Sequence, residues 1–493
     1  MRSARKVFLH VFHRILKIMA SYEYNHFTPN IKLIVLLLII SGWVRSQDME
    51  CSGPTVCNQV TLMHTVQIKT HCIFLNILFR NMSEESLSAG MFRLCRPTVI
   101  LDLSNNRIRD IKAGAFLGLV SLRQLYLANN LIDRIEPGTF HTLTNLEVFV
   151  LAGNRIIEVP DYEFTSREMR FFNINNNHIK RIPQTALLYL QSAELIDLSL
   201  NDLDFLHPVT LSNVKSGVKL VLNNNHLQNL SMTFNSTSLG KQYSILEASG
   251  NLITSLNNNT LGEFYKLRLI SIDLSFNYIS DVHVETFDNF TTLNSLYLSH
   301  NRIKSIHPEL FRMLKSLSSL DLSYNQLTNS IFDVNLPDTI TAVNYSHNQI
   351  SYFREYHWTS KLKRTYMYID VSNNSIRYLD ANRFCRFMYK INLAYNPWDC
   401  SVLYSVIHTL EMRGVQVESG SEFRSNNVKG IPCEVDNSKQ PVIHINTDHA
   451  IHDAVKNTTE TKHTHNINSI ALRCFGSNLI IAALQALSFS QIF

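Results

Sequence analysis

The chain has 493 residues, with 45 Lys/Arg against 40 Asp/Glu and a formal net charge of +5. Residues 1–46 hold seven of the basic residues and only one acid, Glu23, so residues 47–493 carry about −1, and no basic face for nucleic acid is expected. With fifteen glycines, and with no His-Glu-x-x-His, no Gly-x-Ser-x-Gly and no phosphate-cradling glycine loop, the sequence offers no catalytic motif and no cofactor site; an enzyme is not expected.

The first element is a targeting segment. Residues Ile31 to Trp43 are apolar apart from Lys32 and the Ser41-Gly42 pair, basic residues precede them, and Val44-Arg-Ser46 ends on a small residue. This is the layout of a signal peptide over 1–46, cut after Ser46. A start at Met19 gives a more ordinary length, and an uncleaved signal anchor is the competing reading.

Cysteines then frame the chain in two groups: Cys51, Cys57, Cys72 and Cys95, followed by Cys385, Cys400, Cys433 and Cys474. None lies between Arg96 and Phe384. Disulfides at both ends of an exported array are the expected arrangement, because end coils otherwise expose apolar core. Residues 47–97 are read as an N-terminal cap stapled by Cys51, Cys57, Cys72 and Cys95. In the second group Cys400 is expected to pair with Cys433, leaving Cys385 as a buried thiol or an intermolecular link.

Between the cysteine groups, thirteen asparagines recur every 22 to 26 residues: Asn106, Asn130, Asn154, Asn177, Asn201, Asn225, Asn251, Asn277, Asn301, Asn325, Asn348, Asn374 and Asn396. Each ends one phrase, as in Leu101-Asp-Leu-Ser-Asn-Asn106 and Leu320-Asp-Leu-Ser-Tyr-Asn325. Apolar residues stand eight, five and three places before the asparagine and two after it, for example Leu122, Leu125, Leu127 and Ile132 around Asn130. The alternation Leu125-Tyr126-Leu127 has period two and reads as a short strand. Leucines point inward, the intervening residue faces out, and the asparagine amide is placed to bond backbone groups of its turn and of the next coil. A repeat of this period is a solenoid of stacked coils. The fold class expected is an α/β solenoid: a horseshoe over residues 98–396 with a parallel concave β-sheet and disulfide-stabilised caps.

The residue four places before each asparagine lies on the concave face. This column reads Asp102, Tyr126, Val150, Asn173, Asp197, Val221, Glu247, Asp273, Tyr297, Asp321, Asn344, Asp370 and Asn392. Its six acids are ordinary solvated surface for such a repeat. Tyr126, Val150 and Val221 differ, and Val148 and Phe171 stand six places before their own asparagines. Apolar groups on an open face mark contact with a partner, so Tyr126, Val148, Val150, Phe171, Asn173 and Val221 are the candidate ligand-binding residues. The aromatic and basic stretch Tyr352–Arg364 is a second candidate surface, or an irregular convex loop.

Eight Asn-x-Ser/Thr sequons, at Asn81, Asn229, Asn235, Asn258, Asn289, Asn344, Asn373 and Asn457, fit an exported glycoprotein. Asn344 sits in the concave column, so sugar there would obstruct the C-terminal part of the wall and direct partners to the N-terminal half or a lateral edge. Residues 397–434 read as the C-terminal cap and 435–474 as a polar stalk. The stalk contains His449-x-x-His452, read as solvated rather than as a metal site. Residues 475–493 are uncharged and include Leu479-Ile-Ile-Ala-Ala-Leu484. A glycosylphosphatidylinositol signal, a soluble tail and a marginal membrane span all fit this end.

Residues 98–396 resemble extracellular leucine-rich repeats, and Asn396-Pro-Trp-Asp-Cys400 resembles the start of their cysteine-rich cap. The stretch from Gly414 to Cys433 is similar to the cap of insect members. Cys400 stands alone just after the tryptophan, where the commoner pattern has two cysteines. The resemblance to insect cell-surface and immune leucine-rich-repeat proteins implies a non-enzymatic binding module that takes a protein, microbial or glycan ligand on its concave or lateral face. Homo- and heterodimers are both compatible with it. Two roles follow: a surface adhesion or co-receptor module attached through the tail, or a secreted factor of innate immunity. Mosquito leucine-rich-repeat immune proteins are among those the chain resembles; many carry C-terminal heptads, and residues 434–470 are polar and lack that periodicity. No intracellular signalling segment follows the tail, so a Toll-type receptor is not expected.

Overall fold

The computed structural model describes the strands at 60–63 and 76–80 and residues 85–235, 242–328, 334–352, 367–381, 388–421 and 426–435. The segment 1–46, Cys51, Cys57, Cys72, Asn81, most of the Tyr352–Arg364 stretch, Cys385, and the stalk and tail with Asn457 and Cys474 lie outside the described residues.

Short strands, one per coil, line up into a sixteen-stranded sheet in which every pair is parallel and the spatial order is the chain order. Thirteen of these strands precede the thirteen ladder asparagines. Val60–Met63 and Asn76–Arg80 extend the sheet before the array, and Gln416–Val417 extends it after. Most strands are three residues long with only the middle one buried, as in Gln124–Tyr126 and Phe171–Asn173. Period-two alternation therefore sends one leucine-type residue inward and leaves two side chains per coil on the wall. The register stays in phase from coil to coil: Leu101 pairs with Leu125, Leu125 with Phe149, and Phe149 with Phe172.

Asparagine closes each turn. Asn130 is 5% exposed; its Nδ2 donates to Leu127 O and Leu103 O, both at 3.0 Å, and its Oδ1 accepts the amide of Ile108 at 3.1 Å. The same set recurs at Asn154 and Asn201. The inter-coil bonds run to the preceding coil, not the following one as the sequence led us to expect. The turn aims each amide back at the carbonyl and N–H that the earlier coil leaves open. The residue just before each asparagine takes a left-handed conformation, with φ between 51° and 58° where it is not glycine.

Aromatics fill the N-terminal core. Phe92, Phe116, Phe140 and Phe164 stack in a column at 5.9, 5.5 and 5.9 Å between centroids. Phe149 and Phe172 wedge edge-on against it at 4.9 and 4.8 Å. Each buried ring adds about 1.5–3 kcal/mol of transfer free energy. At the far end, helix Cys400–Met412 covers the last coil. Asp399 caps it by accepting from Ser401 N and Val402 N, and its apolar face is Leu403, Val406, Ile407 and Leu410. Trp398 is fully buried and donates Nε1–H to Leu393 O at 2.9 Å. The expected Cys400–Cys433 disulfide is formed. Cys95 is buried at the opposite end.

Candidate functional site: the concave wall

The two outward side chains of each strand form two rows across the wall. In one row Gln124, Val148, Phe171, Leu195 and Lys219 are register neighbours; in the other Tyr126, Val150, Asn173, Asp197 and Val221 are. Val148, Val150, Phe171, Asn173 and Tyr126 are all half-buried on the inner curve, so five of the six candidate residues lie side by side.

Val221 is the exception. It is 8% exposed and leaves the patch. The carboxylate of Glu247, one strand on, is held across it by Lys219 Nζ at 2.7 Å and Asn223 Nδ2 at 3.3 Å. Lys219 stands two residues before Val221 and Asn223 two residues after it, so their bridge to Glu247 spans it. Leu195 takes its place beside Phe171, with Ile245 beyond Lys219. Both stand six positions before their asparagines. The signal was present in the sequence, in the column that contributed Val148 and Phe171.

A charged rail borders the patch where the strands begin. Arg123 pairs with Glu147, and Arg170 Nε donates to Glu194 Oε1 at 2.8 Å. The Arg170 guanidinium carbon also stands 5.9 Å from the Phe171 ring centroid. These alternating charges neutralise one another and frame an apolar centre. Tyr126 donates its hydroxyl to Gln124 Oε1 at 3.0 Å; burial, and then Asp102 beside it, pushes the phenol up to about 12. It stays a neutral hydrogen-bonding group at any physiological pH.

The C-terminal half of the wall is polar and internally paired. Tyr368 donates to Glu418 Oε2 at 3.0 Å, Lys390 Nζ to Glu418 Oε1 at 3.1 Å, and Asn392 Nδ2 to Asp370 Oδ2 at 3.0 Å. Burial first, then Asp370 and Glu418, raises the Tyr368 phenol above its ordinary value. Asn344 is half-buried in this region, with Oδ1 accepting Ser346 N at 3.0 Å. The sequon residues Asn229, Asn235, Asn258 and Asn289 are exposed on the return side of the coils, and Asn373 is half-buried beside its turn. Among the described residues no three His, Cys, Asp or Glu side chains group to hold a metal ion, and no helix is long and apolar enough to cross a membrane.

A family model described as "Leucine rich repeat" matches residues 96–156 and 267–327. The fold is a leucine-rich-repeat solenoid. Solved structures align over most of this leucine-rich-repeat array. The leucine-rich repeat domain of APL1 is 19% identical, with a TM-score of 0.59, over 76% of this chain and 97% of that one. A chain of the LRIM1/APL1C complex is 19% identical, with a TM-score of 0.59, over 88% and 77%. A chain of the Toll–Spatzle complex, described as a hub in Drosophila development and innate immunity, is 20% identical, with a TM-score of 0.52, over 70% and 52%. At these identities the likeness is one of fold. No curated protein matches the chain significantly.

Proposed function

We propose that this protein is a non-enzymatic, extracellular binding module that holds a protein ligand on the N-terminal half of its concave wall, as a cell-surface adhesion molecule or co-receptor. The observation that carries the reading is the contiguous patch of Tyr126, Val148, Val150, Phe171 and Leu195, framed by self-neutralised ion pairs. Apolar surface left open on a wall whose C-terminal half is polar is surface intended for contact. Wall and rim also match the common anatomy of interfaces, an apolar centre within a charged border. The paired polar network of the C-terminal half, with a sequon at Asn344, supports placing the ligand away from it.

A second reading, a secreted recognition factor of innate immunity, is favoured by the fold likeness to chains solved in the LRIM1/APL1C and Toll–Spatzle complexes, where leucine-rich-repeat chains meet protein partners. The tail separates the two readings. Release of the protein from expressing cells by a phosphatidylinositol-specific phospholipase supports the anchored form; accumulation in the medium with an intact C-terminus supports the secreted one.

The wall itself is tested by binding of the purified protein to cells that carry its ligand. Phe171→Asp and Val150→Arg are each expected to reduce binding more than tenfold, whereas Asp321→Asn leaves it unchanged. Equal binding by all three variants overturns the assignment.

A further inference from the structure

The residue before each ladder asparagine stands on one lateral edge of the solenoid, one per coil. Left-handed backbone favours glycine and asparagine, and the first half of this column largely obeys: Asn105, Asn129, Gly153, Asn176, Leu200, Asn224, Gly250. The next four coils do not. They carry Phe276, His300, Tyr324 and His347, with φ of 55°, 53°, 54° and 54°. Bulky rings in this conformation are strained. Here they stack face to face, with centroids 4.0, 4.0 and 3.9 Å apart and planes within 10°, 11° and 12° of parallel.

Such a stack uses up the faces of its inner members. Both faces of His300 and of Tyr324 are taken by neighbours. Among the described residues Phe276 is stacked on one face only, against His300. On its other side the next rung is Gly250, which has no side chain to lay against it. Phe276 is accordingly 58% exposed. One coil further back, the Asn224 amide leans over Gly250, its Oδ1 reaching the place where a Cβ would stand. The rung at Gly250 is thus closed at its base by an amide, walled on one side by a phenyl face, and open to solvent.

We propose that the open space over Gly250, between the Phe276 ring and the Asn224 amide, is a binding slot for an aromatic side chain of a protein ligand. The thickness fits. Coils repeat at about 4.8 Å, so one missing rung admits one flat ring at stacking distance, and the four rings already present set its orientation. Aromatic faces pair favourably in parallel, offset stacks, and a phenyl face next to an amide plane offers no charge to select an ion. The slot also adjoins the concave patch, because the coil that ends in Gly250 begins with Ile245 on the wall, in register with Lys219 and, through it, Leu195. A ligand seated on the patch therefore reaches the slot at the edge of the sheet. That last step rests on the reading of the wall given above; the slot itself does not.

The probe is N-acetyltryptophanamide, read by saturation-transfer NMR on the intact, full-length protein. Gly250→Asn introduces the side chain that is common in this column at φ 67°; the Asn224 side chain swings aside from the new Cβ, and the added amide fills the rung. Phe276→Leu removes its wall. Gly153→Asn is the control: φ is 68°, the amide of Asn129 leans over it in the same way, and no ring is near it in the column. The indole signal is expected in the wild type and in Gly153→Asn, and at least fivefold weaker in Gly250→Asn and Phe276→Leu. Equal signal in all four proteins overturns the slot. So does an equal signal from N-acetylleucinamide, a methyl N-acetylglucosaminide that binds where the indole does not, or no signal from any probe. Phe171→Asp leaves indole binding intact even where it abolishes ligand binding, so failure of the slot and failure of the concave wall are read separately.

Discussion

Asn201 accepts the amide of Ile179 on its Oδ1 at 3.1 Å, across 22 residues of sequence and one coil of the solenoid. Its Nδ2 donates to Leu198 O, Ser199 O and Ile174 O at 3.1, 3.1 and 3.2 Å. One side chain thus satisfies backbone groups of two coils in a site 4% exposed. Replacing it with alanine leaves the Ile179 N–H buried without an acceptor. An unsatisfied buried donor costs about 1–3 kcal/mol. Asn201→Ala is expected to lower the urea unfolding midpoint accordingly, while Asn105→Ala, at an exposed position of the same turn type, changes it less. A smaller loss at Asn201 than at Asn105 contradicts the ladder's role.

The disulfide is testable through the cap alone. Cys400 and Cys433 are separated by 33 residues, and closing a loop of that order restrains the unfolded chain by about 3–4 kcal/mol. Cys400→Ser is expected to release residues 400–435 to limited proteolysis well below the temperature at which the Phe116–Phe140 core unfolds. Simultaneous loss of both regions contradicts a local capping role.

These two features were legible in the sequence for the same reason. The leucine alternation, the asparagine period and the terminal cysteines are each set within one coil or one cap, so spacing alone displays them. What spacing does not display is reach between coils. Val221 looks exposed from its column, yet it is buried beside the bridge from Lys219 and Asn223 to Glu247. Leu195 and the rings at 276, 300, 324 and 347 stood in readable columns, one six places before the asparagine and one directly before it. Their meaning came from neighbours one rung away, because a phenylalanine in an edge column becomes a stack only when the next coil also supplies a ring.

Glu163 is a buried carboxyl, 1% exposed, that accepts backbone N–H groups of Gly138 and Phe140 in the preceding coil. Burial raises its pKa above the ordinary value and outweighs the lowering by those amides and by His141. The fold therefore disfavours the charged form. Its contribution to stability is complete below the unfolded carboxyl pKa and falls as pH rises through the raised folded value. Glu163→Gln does not titrate, so the stability difference between wild type and variant is expected to shift against the wild type as pH rises from about 4 through that range. A difference that is flat with pH rules the effect out.

His347 works in the opposite direction. Its ring lies on Tyr324 at the end of the aromatic stack, 3.9 Å between centroids. Desolvation lowers its pKa below the ordinary value; Asp370 opposes that, and His300, two rungs away, adds to it. The fold thus favours neutral imidazole. The stability it contributes is present above the unfolded histidine pKa, about 6.5, and is lost as pH falls through the depressed folded value. Acidification through that window is expected to loosen the coils around His347 first, read as faster amide exchange at Tyr345–Ile350 than in the Phe149 coil. His347→Phe keeps a ring on Tyr324 but cannot be protonated, so it is expected to remove the pH dependence and leave exchange at neutral pH unchanged. If His347→Phe retains the acid-induced exchange, the titrating group is elsewhere and the assignment to His347 fails. If instead it speeds exchange at neutral pH, imidazole is required by the stack for its shape rather than for its charge state.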